Sequence, residues 1–125
     1  MLVVEDDNAL AQMCAKLIRR RGHSAVIASS CLDALSIVRT SRDVDAVVSD
    51  IQMPGMSGIE LLAELRETDA DLPVILMTGY ANTVSSDEAL ALGAADYLSK
   101  PFNAEILIGS LERAFDKKVP EHAEL

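Results

Sequence analysis

Five times along the chain a short apolar run gives way to a stretch whose apolar residues recur every three or four positions. Residues 1–4 read as a short buried strand, and Leu10, Met13, Leu17 and Ile18 as the inner face of a helix ending before Gly22. Residues 24–28 predict a second strand, Ser29 or Ser30 an N-cap, and Leu35 and Val38 the buried stripe of a second helix. In the run 44–58, Val-Asp-Ala-Val-Val-Ser-Asp-Ile-Gln-Met-Pro-Gly-Met-Ser-Gly, the β-branched centre is suited to burial on both faces of a parallel sheet, and Pro54, Gly55 and Gly58 stop it. A third helix over 58–67 carries Ile59, Leu62 and Leu65, and Thr68 to Leu72 forms a polar turn. Residues 73–77 predict a fourth strand, with Pro73 acceptable as its first residue. The helix predicted over 84–92 has few large apolar residues and is expected to be the least firmly packed. Residues 96–99 make the fifth strand, broken by Pro101, and Asn103 caps a last helix whose Ile106, Leu107, Leu111, Ala114 and Phe115 face the sheet.

Parallel strands need a crossover between them, and a helix in each crossover covers both faces of the sheet. The predicted fold is α/β: a doubly wound five-stranded parallel sheet with five helices. A sheet of this size commonly follows the flavodoxin-like order 2-1-3-4-5. At 125 residues the chain fits one domain that needs no disulfide. Cys14 and Cys31 fall inside helices with no metal-ligand spacing and read as small buried hydrophobes, which suits a reduced, cytoplasmic setting. No apolar run approaches the ~20 residues of a membrane span. The net charge is −9, and the one basic run, Arg19 to Arg21, ends the first helix, where cations complement the helix dipole. This excludes direct nucleic-acid binding as the expected activity.

What the strand ends deliver is chemistry. Glu5, Asp6 and Asp7 follow strand one, Asp50 ends strand three, Thr78 follows strand four and Lys100 follows strand five. In open α/β sheets ligands bind at that carboxyl edge. With strands one and three adjacent, Glu5, Asp6 and Asp50 share one crevice. Two unit charges ~4 Å apart repel by about 4 kcal/mol at an effective dielectric of 20, so a cation must offset them. Lys100 supplies one charge, and the remaining hard oxygens suit Mg²⁺ or Mn²⁺. A flavin phosphate would want a Gly, Ser or Thr-rich loop where this chain has three acids. A haloacid-dehalogenase-type phosphohydrolase would want a second Asp at position 52, which is Gln.

With the acidic pair Glu5-Asp6, Asp50 followed by Pro54-Gly55 and Gly58, Thr78, Tyr97 and Lys100-Pro101 in this order and spacing, the chain resembles the receiver domain of bacterial two-component response regulators over essentially its whole length. The resemblance implies that Asp50 accepts a phosphoryl group from a histidine kinase or histidine phosphotransfer protein. It makes Asp6 a direct Mg²⁺ ligand beside Asp50, Glu5 a ligand through water and the Gln52 carbonyl the remaining protein ligand. Lys100 pairs with Asp50 and later with a phosphoryl oxygen, Thr78 reaches that oxygen by its hydroxyl, and Tyr97 turns inward behind it. Asp7 matches no ligand position and reads as an N-cap. Gln52 and Tyr80 stand at the mouth of the site and are expected to tune the lifetime of the phosphorylated state. The implied output is a changed surface around helix four, strand five and helix five, read by an effector domain or protein or by a second copy. The protein is thus expected to be a signalling switch rather than an enzyme, with no contact to nucleic acid or membrane. Residues 1–118 would be the receiver domain and 119–125 a tail or the start of a linker. The competing reading is a pseudo-receiver that only binds partners, which usually lacks a metal ligand or the lysine.

Overall fold

Val47 and Val48 have no solvent exposure, because the strand they belong to lies in the middle of the sheet with helices on both sides. The computed structural model describes residues 1–41, 43–79 and 86–118, and the side chains among them except 86 and 115–118. Expectations for Tyr80, for the start of the fourth helix at Val84, for the Phe115 side chain and for 119–125 lie outside the described residues. The elements are β1 (Leu2–Val4), α1 (Asn8–Arg20), β2 (Val26–Ala28), α2 (Cys31–Thr40), β3 (Val47–Asp50), α3 (Gly58–Thr68), β4 (Val74–Thr78), α4 (Ser86–Ala91), β5 (Asp96–Ser99) and α5 (Ala104–Lys118). All neighbouring strands are parallel, in the order β2-β1-β3-β4-β5. The doubly wound, flavodoxin-like sheet predicted from the alternation of elements is therefore the fold.

The two-residue period of the strands divides the core. Leu2, Val4, Val47, Val74 and Leu76 point to the layer made by α2, α3 and Ala89 of α4, while Val3, Val48, Ile75 and Met77 point to α1 and α5. The helix starts follow the expected chemistry. Leu10 N–H donates to Asp7 Oδ1 (3.2 Å), Asp33 N–H to Ser30 Oγ (3.1 Å) and Ile106 N–H to Asn103 Oδ1 (2.9 Å). Ser57 and Glu60 add a reciprocal capping box at the start of α3.

Two helix faces differ from the expected ones. Ile18 is buried as expected, but Met13, expected inside, is 42% exposed, and α1 buries Ala11, Cys14 and Ala15 in its place. These small side chains let the helix lie close to the sheet, leaving Leu10 and Leu17 half-buried at its flanks. Ile106 is likewise 47% exposed. The inner face of α5 is centred on Leu107, Leu111 and Ala114, and a step of about 100° per residue takes position 106 away from it while Ile108 packs in. In α2 and α3 the inner faces are completed by Cys31, Ala34 and Leu61, with Val38 and Ile59 half-buried. Ala89 is the one buried residue among the described side chains of α4, and Leu90 and Leu92 beside it are exposed.

Candidate functional site

The site is assembled by the register of β1, β3, β4 and β5. Val4 pairs with Ser49, so the residues that follow, Glu5 and Asp50, leave neighbouring strands side by side. Asp50 pairs with Met77 and Thr78 with Ser99, which brings Lys100, the next residue, to the same edge. Lys100 N–H donates to the Thr78 carbonyl at 2.7 Å and keeps β4 and β5 in step to their ends. The Lys100–Pro101 peptide that follows is cis.

Lys100 then reaches back across β4. Its Nζ lies 2.8 Å from Glu5 Oε1 and 3.2 Å from Asp50 Oδ2. Glu5, Asp6 and Asp50 each present a carboxylate oxygen within 4.8 Å of the others. Their surroundings differ: Glu5 is 1% exposed and Asp50 6%, whereas Asp6 is open to solvent. Burial raises the Glu5 carboxyl to about 7, and the Asp50 carboxylate beside it pushes the same way, against the opposing pull of Lys100. Burial would also lower the Lys100 ammonium, but the two carboxylates outweigh it and hold it above its ordinary value. Glu5 Oε2 is buried with no hydrogen-bond partner among the described residues. An oxygen in that position asks for a cation or a water, and the three carboxylates supply the hard donors a divalent ion takes. The residues present therefore fit Mg²⁺.

The loop after Asp50 is fixed in several places. Gln52 N–H donates to Asp50 Oδ1 at 3.3 Å, Ile51 N–H to the Met77 carbonyl at 2.9 Å, and Gly58 N–H to the Ile51 carbonyl at 2.8 Å. A Cβ on Gly58 would stand 2.3 Å from the Asp50 carbonyl oxygen and 2.8 Å from Ile51 Cα, so only glycine lets α3 start this close to the end of β3. Gly55, at φ +80, supplies the turn between them. Met53 is buried with its Sδ 3.9 Å from Cys31 Sγ, which ties the loop to the start of α2.

Of the described residues singled out from the sequence, Glu5, Asp6, Asp50, Gln52, Thr78 and Lys100 stand at this edge, while Tyr97 lies within β5, paired with Leu76. Thr78 is buried at the end of β4, Gln52 is exposed beside Asp50, and Tyr97 is half-buried against the α2–α3 layer. Asp45 and Asp96 lie elsewhere. Asp45 is near the Met1 amine before β3, and Asp96 accepts from Ser110 Oγ (2.6 Å) and Arg113 (3.1 Å) on α5. His23 follows α1 at the far end of that helix, where its N–H donates to the Ile18 carbonyl. Cys14 and Cys31 are buried free thiols, each pushed up to about 11 chiefly by burial, and so are not nucleophiles. Sequence reasoning missed two features: the Glu5–Lys100 contact, shorter than the one to Asp50, and the close approach of Gly58. The second had a signal in Ser57-Gly58-Ile59-Glu60, a capping box beginning only seven residues after Asp50.

Comparison with known proteins agrees with this geometry. Residues 1–112 match the family model for the response regulator receiver domain. The chain is 39% identical over 119 residues to the C4-dicarboxylate transport transcriptional regulatory protein DctD of Pseudomonas aeruginosa, covering 93% of this chain and 25% of that protein. It is 40% identical over 113 residues to the response regulator protein FleR of the same organism, covering 90% and 24%. The chain thus spans about a quarter of the length of these two relatives. A CheY-like response regulator receiver domain protein from Methanospirillum hungatei superposes with a TM-score of 0.89 at 28% identity, covering 96% of this chain and 95% of that one. NtrX from Brucella abortus superposes with a TM-score of 0.88 at 30% identity, over 98% of this chain and 28% of that one. The chain belongs to the response regulator receiver domain family.

Proposed function

We propose that the protein is a phosphorylation-dependent switch that takes a phosphoryl group from a phosphohistidine onto Asp50. The observation that carries this reading is Lys100 Nζ held between the Glu5 and Asp50 carboxylates, with Asp6 completing the acidic cluster beside them. A pseudo-receiver would have no use for this complete set.

Asp50 is the nucleophile. One of its carboxylate oxygens forms the new O–P bond as the N–P bond of the donor breaks, and the imidazole leaves with the electron pair and gains a proton from solvent. A carboxylate nucleophile has no proton to lose, so the site needs no general base. The work left is positioning and neutralising the equatorial oxygens. Lys100 offers its ammonium to one of them by moving off Glu5 and Asp50, and the Thr78 hydroxyl offers a hydrogen bond to another. Asp6, Asp50 and the Gln52 carbonyl would hold Mg²⁺, with Glu5 acting through water; the ion supplies positive charge to the phosphoryl oxygens. Water attacking the phosphorus reverses the switch, with Gln52 and Tyr80 controlling its approach.

The phosphoryl group adds about −1.5 to −2 charges. A charge-assisted hydrogen bond contributes ~1.5–3 kcal/mol, whereas a full two-state reversal takes ~5.5, so Thr78 and Lys100 act together and Tyr97 follows inward. The surface of α4, β5 and α5 changes as a result. It is read by an effector domain or protein or by a second copy of the chain, in a cytoplasmic setting, with residues 1–118 as the switching unit and 119–125 as the tail or linker. Intact-mass spectrometry after incubation with acetyl phosphate and Mg²⁺ tests the assignment. One added phosphoryl group is expected on the wild type and none on Asp50→Ala; a modified Asp50→Ala protein would overturn it.

A further inference from the structure

Ser49 is the residue in β3 that does not fit its surroundings. It has no solvent exposure, and it lies on the same side of the strand as Val47, facing an apolar layer where a β-branched side chain would be ordinary. Burying a hydroxyl there costs desolvation unless it finds a partner. Its partner is the carbonyl oxygen of Asp50, to which Ser49 Oγ donates at 3.0 Å.

That carbonyl belongs to the peptide that leaves the strand, and its other end is also held. The N–H of the same Asp50–Ile51 peptide donates to the Met77 carbonyl of β4 at 2.9 Å. The plane of this peptide fixes the backbone of Asp50 and with it the direction of its Cα–Cβ bond. Gly58 comes onto the same oxygen from α3, close enough that a Cβ there would be 2.3 Å from it. A hydroxyl on one side and a missing side chain on the other therefore define one seat for the Asp50 carbonyl. We propose that Ser49 is a positioning residue for Asp50: its hydroxyl locks the Asp50–Ile51 peptide and so aims the carboxylate at Lys100 and the phosphoryl donor. This rests on the reading of Asp50 as the phosphoacceptor.

A purely structural role makes a different prediction. If Ser49 only had to be small, so that α3 could approach, alanine would serve equally well. If the hydroxyl matters, alanine fails and threonine differs from valine, which has the same shape without the donor. The test is the maximal rate of Asp50 phosphorylation by acetyl phosphate at saturating Mg²⁺, separated from the acetyl phosphate concentration that gives half that rate. Ser49→Ala is expected to lower the maximal rate about fivefold, the scale of one lost hydrogen bond, with the half-saturating concentration unchanged. Ser49→Thr should exceed Ser49→Val by a similar factor. Equal rates for the threonine and valine variants, or an alanine variant as fast as wild type, would overturn the proposal. The Asp50 carbonyl ¹³C shift in metal-free Ser49→Ala protein gives a readout independent of activity. It should move upfield as the hydrogen bond is lost, and an unchanged shift would also count against the lock. Absence of phosphorylation in the wild type would instead sink the assignment of Asp50, with the carbonyl shift still reporting on the hydrogen bond.

Discussion

Replacing Glu5 by glutamine should stabilise the metal-free protein at high pH, by an amount that the burial of Glu5 sets. The carboxyl is 1% exposed, one of its oxygens has no partner, and its folded-state pKa is raised from 4.5 to about 7. A raised folded-state pKa means that the native protein holds the proton more tightly than the unfolded chain does. The stability this contributes is complete below about pH 4.5 and is lost as pH rises through about 7. A rise from 4.5 to about 7, at ~1.4 kcal/mol for each tenfold in proton affinity, gives a loss of about 3 kcal/mol. Glutamine keeps the shape without the titration. Urea unfolding in EDTA from about pH 4 to about pH 8 would isolate the effect, because carboxylates that do not touch Glu5 cancel in the difference between wild type and Glu5→Gln. That difference should move against wild type by about 3 kcal/mol, most of it between pH 5 and 7. A difference independent of pH would mean that the 2.8 Å contact with Lys100 keeps Glu5 charged throughout, and the claim that burial outweighs the ion pair would fail.

Two further outcomes follow from the same cluster and its loop. A ligand bound only by the folded state stabilises it, so Mg²⁺ at about tenfold its dissociation constant should raise the thermal midpoint by about 5 °C; Asp6→Ala should abolish the shift, and an equal response from both proteins would show that Asp6 holds no metal. Gly58→Ala should cost about 2 kcal/mol or more in urea unfolding, because the new methyl meets backbone rather than a flexible side chain; a loss under about 0.5 kcal/mol would show that the start of α3 can shift to admit it.

The contrast between what the sequence revealed and what it did not has a physical basis. Strand positions buried on both faces, such as Val47 and Val48, favour apolar residues whatever packs on them, and a polar one such as Ser49 has to find its own hydrogen-bond partner, so a run of apolar residues marks the strand without knowledge of what covers it. The polar residues that end those strands stand out for the same reason: Glu5, Asp50, Thr78 and Lys100 interrupt runs that have no other use for them. A parallel sheet brings strand ends to one edge, so finding the residues and knowing the strand order were enough to gather them.

Helix faces are less constrained. In α1 the choice between a stripe of Leu10, Met13 and Leu17 and one of Ala11, Cys14 and Ala15 depends on how near the helix lies to the sheet, and separation is a property of the assembled pair of surfaces. Hydrophobicity favours the larger residues, while close packing selects the smaller ones. The same holds at Gly58, where the sequence offers a turn-forming residue and only the tertiary structure reveals an oxygen 2.3 Å from the position of the missing Cβ. Distances within the site follow this pattern. The order of strands places Lys100 near both carboxylates, but that its ammonium sits closer to Glu5 than to Asp50 depends on the length of a lysine chain crossing β4. This difference bears on how the switch would start. If Asp50 is the phosphoacceptor proposed above, a lysine held mainly by Glu5 can turn to the phosphoryl group by giving up Glu5, the partner that does not react. The energy of that exchange then depends on whether Glu5 is left bare, takes up a proton, or meets a cation.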